Sequence, residues 1–210
     1  MKKIILLAVA AGLFAVPALA QSFRIGPEIG VNVSNSTHKY ERSNGRTERA
    51  DYSPRAGLKA GLVADIYLDR HLYFQPGLFY SQKGYRYSAR LYDYEVRVNY
   101  LEIPLNILYR APISNRVAFF GGGGPYLAFA VGGHVDVDPG PSYDLKFGGS
   151  RNDDFSVLDA GLNFNAGLEF RPGFFLRANY GLGVANVVPN GGSDSRQRMH
   201  GFSFTAGFLF

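Results

Sequence analysis

The chain has 210 residues, 22 Lys and Arg against 17 Asp and Glu for a formal charge of +5, and no cysteine. That excess is too small to imply a nucleic-acid partner, and a fold held by disulfides is excluded. There are 26 Gly, 14 Tyr and 17 Phe but no Trp, at a mean hydropathy of −0.08, and no apolar run beyond the N-terminus is long enough for a membrane helix.

Residues 1–20 read as an export signal peptide. Lys2 and Lys3 precede an apolar stretch from Ile4 to Val16, and Ala18-Leu19-Ala20 is a small-x-small cleavage pattern. The apolar stretch is short for an anchor and ends in Pro17, and no Cys follows it to carry a lipid. Cleavage starts the mature chain at Gln21 and leaves 20 basic against 17 acidic residues, a net +3, in one domain over residues 21–210.

From Phe23 the sequence alternates. Phe23, Ile25, Pro27, Ile29, Val31 and Val33 share one face of a predicted strand, with Arg24, Gly26, Glu28, Gly30 and Asn32 on the other. Ser34 to Pro54 is polar, mixes Arg42, Arg46 and Arg49 with Glu41, Glu48 and Asp51, and reads as a long exposed loop. The next strand sets Ala56, Leu58, Ala60, Leu62, Ala64, Ile66 and Leu68 against Gly57, Lys59, Gly61, Val63, Asp65 and Tyr67. Asp69-Arg70-His71 reverses the chain, and Leu72, Phe74, Pro76, Leu78 and Tyr80 then oppose Tyr73, Gln75, Gly77, Phe79 and Ser81. Pro76 lacks an amide donor, so a bulge or irregularity is expected there.

After a break at Ala89 to Asp93, Leu101, Ile103, Leu105, Ile107 and Tyr109 oppose Glu102, Pro104, Asn106 and Leu108. Val96, Val98 and Tyr100 have the opposite parity, which requires either a bulge near Tyr100 or a part of the strand that projects beyond a bilayer. Ala111 to Arg116 is a short turn, Val117 to Val131 a strand through Gly121-Gly122-Gly123-Gly124-Pro125, and Gly132 to Asp154 a long polar loop. Within Val157 to Phe170, Leu162, Phe164, Ala166, Leu168 and Phe170 face away from Asp159, Gly161, Asn163, Asn165, Gly167 and Glu169. Arg171-Pro172-Gly173 turns the chain into Phe174, Leu176, Ala178, Tyr180, Leu182 and Val184, opposite Phe175, Arg177 and Asn179. A last polar loop, Val188 to Met199, leads to Phe202, Phe204, Ala206, Phe208 and Phe210, which alternate with Ser203, Thr205, Gly207 and Leu209.

Each of these eight strands is long enough to span a bilayer, which takes about 9–11 tilted residues. Long and short connections alternate. That is the pattern of an all-β, eight-stranded antiparallel up-and-down transmembrane β-barrel, and a soluble sandwich gives no reason for it. The aromatic last strand, ending in Phe210, resembles the signal by which the barrel-assembly machinery recognises such proteins, and closure requires it to pair with Phe23 to Val33.

Four stretches, Tyr80-Ser-Gln-Lys-Gly84, Asn99-Tyr-Leu-Glu-Ile-Pro-Leu105, Gly124-Pro-Tyr-Leu-Ala128 and Tyr180-Gly-Leu-Gly-Val-Ala-Asn186, stand in an order and spacing that resembles the outer-membrane β-barrel domain family, often labelled porin family or PorT-like. The resemblance spans nearly all of the mature chain. It implies a small barrel in the outer membrane of a Gram-negative bacterium and no defined activity.

The polar strand faces collect Arg24, Glu28, Lys59, Asp65, Lys83, Glu102, Asp159, Glu169 and Arg177. The interior of an eight-stranded barrel is just wide enough to be filled by side chains, so these charges are expected to pair into a plug. A narrow ion or solute channel is the rival reading. Gly121 to Gly124 lacks the Lys-Ser/Thr and the helix start of a phosphate loop. Asp136, Asp138, Ser142 and Asp144 lack the terminal Glu of a calcium loop and are interrupted by Pro139 and Pro141. His38, His71, His134 and His200 are the candidates for acid–base work near neutral pH, as in a barrel-embedded hydrolase or acyltransferase, but no Ser/His/Asp or paired-carboxylate set can be assembled. The expectation is a structural or loop-mediated binding role without catalysis, cofactor or metal. The partners expected are outer-membrane lipid, lipopolysaccharide phosphates met by the first-loop arginines, the barrel-assembly machinery and an extracellular ligand, with no nucleic acid.

Overall fold

A computed structural model describes residues 23–41, 47–50, 52–88, 92–150, 153–189 and 195–210. The expected signal peptide lies outside the described residues. The strands are β1 (Phe23–Glu41), β2 (Thr47–Ala50), β3 (Ser53–Asp69), β4 (Leu72–Ser88), β5 (Asp93–Pro112), β6 (Val117–Asp138), β7 (Tyr143–Asp144), β8 (Leu158–Phe170), β9 (Phe174–Gly183) and β10 (Ser195–Phe208). Every ladder between them is antiparallel. Eight of them close a ring in the order β1-β3-β4-β5-β6-β8-β9-β10, and β2 and β7 are short additions beside β1 and β6.

The ring closes as the alternation requires. β10 pairs with β1 from Glu28↔Gly207 through Asn32↔Ser203, and the ladder continues to Tyr40↔Ser195, well past the stretch expected from the apolar pattern. The amide of Phe210 donates to the Ile25 carbonyl at 3.0 Å, so the terminal aromatic is tied to the first strand as well.

Side chains divide cleanly between the two faces. Ile29, Val31, Leu62, Leu105, Ile107, Leu127, Leu162, Phe164, Leu176 and Phe204 point outward and are 39–60% exposed, forming an apolar belt around the wall. Residues of the opposite parity on the same strands, among them Glu28, Asp65, Glu102, Asn163 and Arg177, are buried inside. Such inversion suits lipid outside and a filled lumen within.

The short turns Asp69-Arg70-His71 and Arg171-Pro172-Gly173 fall where they are expected, and the turn beginning at Ala111 starts after Pro112. The long loops are shorter than expected. Ser34–Glu41 remains strand, paired to β10 on one side and, from His38, to β2 on the other, and β6 runs on to Asp138. Ladder hydrogen bonds need only backbone, so a strand that leaves lipid keeps its pairing while losing apolar alternation. At about 3.3 Å per residue, the 22 residues of β6 exceed a bilayer span roughly twofold.

Pro76 shifts no register, and the expected irregularity takes the form of a gap: β3–β4 pairing skips Gln75 and Pro76, and β4–β5 pairing skips Gly77 and Leu78. The β4–β5 register is constant from Leu72↔Tyr109 through Pro76↔Leu105 to Ser88↔Asp93. Val96, Val98 and Tyr100 keep the parity of Glu102 and point inward, so β5 is unbroken and its upper part projects beyond the apolar belt. A register shift does occur at this height, where Asn99 pairs Gly132 and Tyr100 pairs Ala130, but the extra residue, Val131, is on β6. Lower on β6 a Cβ at Gly122 would fall 2.0 Å from the Ile107 carbonyl oxygen, and one at Gly124 1.9 Å from that of Leu105. The glycine run therefore serves close strand approach.

Two apolar clusters fill the interior. Val63, Phe79, Leu108, Phe120, Phe175 and Leu209 pack toward the short-turn end. Tyr85, Val96, Val98, Tyr100, Tyr126 and Val135, with Leu145, Phe155 and Val187 from the loops and Met199 of β10, fill the long-loop end.

Candidate functional site

Two layers of charge close the lumen, one at the short-turn end beside the first cluster and one between the clusters. In the layer nearer the short turns, Asp65 Oδ2 accepts from Arg24 at 2.9 Å and from Arg110 at 2.6 Å, and its Oδ1 accepts from Gln75 at 2.6 Å. Glu169 meets Arg24 at 2.6 Å and Arg110 at 2.8 Å, completing a quartet of two cations and two carboxylates. Arg177 donates to Gln75 and lies 3.4 Å from Glu28, which accepts from Thr205. Nearer the long loops, Glu102 holds Lys59 at 2.8 Å and Lys83 at 2.9 Å, while Lys83 also reaches Asp159 at 3.3 Å and lies 4.3 Å from the Tyr126 ring centroid. The cavity beside this second layer measures 20 Å³, room for about one water molecule.

All nine charges expected in the lumen take part in this plug. Arg110 and Gln75 are the additions. Arg110 is the last inward residue of β5 before the turn, and only the continued parity of Leu108 marks it. Arg24–Asp65 and Lys83–Glu102 link adjacent strands, whereas Lys59–Glu102, Lys83–Asp159, Arg24–Glu169 and Arg110–Glu169 join strands that are not neighbours in the ring, so the plug ties the barrel across its axis.

Above the plug, six tyrosines gather at the long-loop end. Tyr52 and Tyr85 have ring centroids 4.3 Å apart, Tyr87 and Tyr94 are stacked at 5.1 Å, and Tyr92 and Tyr94 are stacked at 6.5 Å. Tyr85, Tyr92, Tyr94 and Tyr143 line an open cup of 380 Å³ floored by Val96, Val135, Leu145 and Phe155. Tyr92 and Tyr143 are 48% and 51% exposed, whereas Tyr85 is buried. Asp154 and Gln197 supply the polar groups, and the buried Gln197 carboxamide interacts with the Tyr85 hydroxyl. Burial pushes the Tyr85 and Tyr94 phenols up, so both stay neutral at physiological pH.

Sequence reasoning missed this cup. Its signal is the pair of Tyr-x-Tyr steps, Tyr85-Arg-Tyr87 and Tyr92-Asp-Tyr94, on either side of one hairpin, where period two puts all four rings on the inner face.

One ion cluster braces the hairpins beside the cup. Glu95 accepts from Arg55 at 2.6 Å and from Arg86 at 2.6 Å. Burial alone would raise the Glu95 carboxyl, but the hydrogen bonds and charge of Arg55 and Arg86 outweigh it and hold the group down at about 2. A depressed carboxyl stabilises the fold above its unfolded value and loses that contribution as pH falls toward the folded one. Amide hydrogen exchange at the β4–β5 tip is therefore expected to quicken as pH drops from about 4.5 to about 2, after correction for intrinsic rates, relative to the base of the same strands. In Glu95→Gln that relative change should vanish.

The histidines are not assembled into one site. His71 sits at the short-turn end, its Nδ1 3.0 Å from the Arg110 carbonyl. His38 faces the Tyr52 hydroxyl at 3.4 Å, and burial pushes its imidazole down. His200 is on the outward parity of β10. His134 approaches Asp144 at 2.8 Å and Asp136 at 3.4 Å, and Ser142 donates to the same Asp136 oxygen at 3.2 Å. The carboxylate thus stands between serine and histidine, whereas nucleophilic catalysis needs the imidazole between them to accept the hydroxyl proton. Among the described residues no group of three His, Cys, Asp or Glu could hold a metal ion. Of the first-loop arginines, Arg42 and Arg46 lie outside the described residues and the side chain of Arg49 is not described.

A family model described as outer membrane protein beta-barrel domain matches residues 19–188. No curated protein matches the chain. Solved structures similar to it include the outer membrane protein OprG from Pseudomonas aeruginosa, at 11% identity over 90% of this chain and 95% of that one, with a TM-score of 0.49. Neisserial surface protein A is similar at 16% identity over 90% and 97%, TM-score 0.43. Ail, the attachment invasion locus protein of Yersinia pestis, solved with the heparin analogue sucrose octasulfate, is similar at 15% identity over 89% and 99%, TM-score 0.39.

Proposed function

The chain belongs to the outer membrane protein beta-barrel domain family and lies in the outer membrane of a Gram-negative bacterium; from that premise we propose that it is a plugged barrel that displays a ligand-binding cup to the exterior and carries out no catalysis. In such barrels short turns face the periplasm and longer loops face outward, which places the tyrosine cup outside the cell. The observation that carries the reading is the cup itself: exposed rings above an apolar floor, with the buried Gln197 amide beside them. Rigid aromatic faces with a few fixed polar groups are the composition of binding pockets for uncharged, flat-faced ligands such as sugars or aromatic peptides.

Because the chain has no Trp, its intrinsic emission comes from its 14 tyrosines, and the share contributed by the cup is read as the difference between wild type and the Tyr92→Ala and Tyr143→Ala variants. Titration with neutral oligosaccharides and aromatic dipeptides should quench that emission with one member of the panel. Tyr92→Ala and Tyr143→Ala should each weaken binding by about tenfold or more, as truncation of a binding aromatic does. A ligand that binds both variants as tightly as the wild type would remove the cup from the reading.

The channel alternative is disfavoured by the two charge layers, and proteoliposomes are expected not to swell in sugar solutions. Rapid swelling would establish a channel instead. For the outer leaflet, lipopolysaccharide phosphates are assigned to Arg196 and Arg198, which line a 390 Å³ crevice with Leu182 and Val184 on the outer wall, alongside the first-loop arginines, which lie outside the described residues or have no described side chain. Recognition by the barrel-assembly machinery is assigned to β10.

A further inference from the structure

The periplasmic mouth of the barrel is an unusually basic vestibule. It measures 590 Å³ and is lined by Arg24, Arg70, Arg110, Arg116 and Arg171, with Glu169 the only carboxylate among its lining residues. Arg24 and Arg110 are balanced by Asp65 and Glu169 in the quartet described above. The other three are not. Arg70, Arg116 and Arg171 come one from each of the short turns β3–β4, β5–β6 and β8–β9, are exposed, and have no ion pair among the described residues. Asp69, next to Arg70, accepts that residue's backbone amide at 2.7 Å and does not line the vestibule.

A second observation points inward. Arg110 is only 9% exposed, its guanidinium lies 4.0 Å from the centroid of the Tyr73 ring, and its Nη1 is buried with no hydrogen-bond partner. A buried guanidinium donor left unmatched is costly, and a donor that lines an open cavity can be matched by something that enters it. Surplus positive charge around a concave mouth raises the local concentration of anions, and arginine forks fit the oxygens of a phosphate.

We propose that this vestibule is a binding site for a phosphate-bearing anion on the periplasmic side, seated among Arg70, Arg116 and Arg171 and reached by Arg110 Nη1. The phosphate has two sources there, a phospholipid headgroup of the inner leaflet or a soluble phosphate of the periplasm. The chemistry is the same for both, and the site is independent of the cup at the other end.

The test uses the intact barrel, in nanodiscs for one arm and in detergent for the other. One arm measures binding of radiolabelled inorganic phosphate in phosphatidylcholine discs; the other measures retention of labelled phosphatidylglycerol against labelled phosphatidylcholine by detergent-purified protein. The wild type should bind in at least one arm, and R70Q/R116Q/R171Q should bind at least tenfold more weakly in that arm. Phosphate binding identifies a soluble anion, and selective phosphatidylglycerol retention alone identifies a headgroup. Absence of binding in both arms, or equal binding by the triple variant, overturns the proposal. Should the triple variant fail to fold, phenylglyoxal modification of wild-type protein decides: the anion that binds must slow modification of Arg116, and an unchanged rate overturns the site.

Discussion

Asp65→Ala is expected to destabilise the folded barrel by about 3–5 kcal/mol, because it removes one member of a buried ion network and leaves the others uncompensated. Asp65 is 1% exposed and takes hydrogen bonds from Arg24, Arg110 and Gln75. Without it two guanidiniums share Glu169, and the Gln75 amide loses its acceptor. The control is Asp136→Ala at the rim, whose contact with Arg97 is 3.5 Å long and joins side chains 38% and 46% exposed. Pairs of that kind contribute about 0–1 kcal/mol. Urea titrations of heat-modifiable gel migration in lipid vesicles give both values, and equal losses would mean that the lumen charges do not hold the barrel together.

The second large effect is expected on the outer face. Phe164 is 52% exposed halfway along β8, while Asn163 beside it is 3% exposed and faces the lumen. Phe164→Arg should cost about 2–4 kcal/mol, the range for a charge on the lipid face near the bilayer midplane, and Leu168→Arg should follow it. Asn163→Ser should stay within about 1 kcal/mol, since a smaller polar group replaces a polar group. The same vesicle titration reads all three variants. If Phe164→Arg were as mild as Asn163→Ser, this face of β8 would not meet lipid.

These contrasts show why the spanning part of the chain was legible. Along β8, β9 and β10 lipid and lumen impose opposite chemistry on successive residues, so Phe164 against Asn163 or Phe204 against Ser203 states the facing of each strand outright. Beyond the bilayer that pressure ends. Ser34 to Glu41 carries no alternation because water and a polar rim accept similar residues, although its backbone pairs with β10 as regularly as before. Tyr100 was ambiguous for a related reason: the apolar interior of the projecting stalk reverses the parity that lipid sets lower down. At Pro76 the sequence locates an irregularity but not its form, since a missing donor opens a gap in a ladder without shifting its register. Lumen composition was readable and its pairing was not, since Arg24 and Glu169 stand 145 residues apart and only closure of the ring brings them together.

That separation bears on how the protein is built. Lys59 and Glu102 belong to β3 and β5, Lys83 and Asp159 to β4 and β8, and Arg24 and Glu169 to β1 and β8. A hairpin of adjacent strands entering lipid alone matches Lys83 with Glu102 but carries groups with cross-barrel partners, such as Arg110, unmatched into hydrocarbon, at a cost of several kcal/mol for each. Stepwise insertion is therefore uphill until β8 arrives, and contacts of such long sequence separation form slowly. Neutralising the interior and sealing the seam become a single late event, which commits the nascent chain to wait for its own C-terminus.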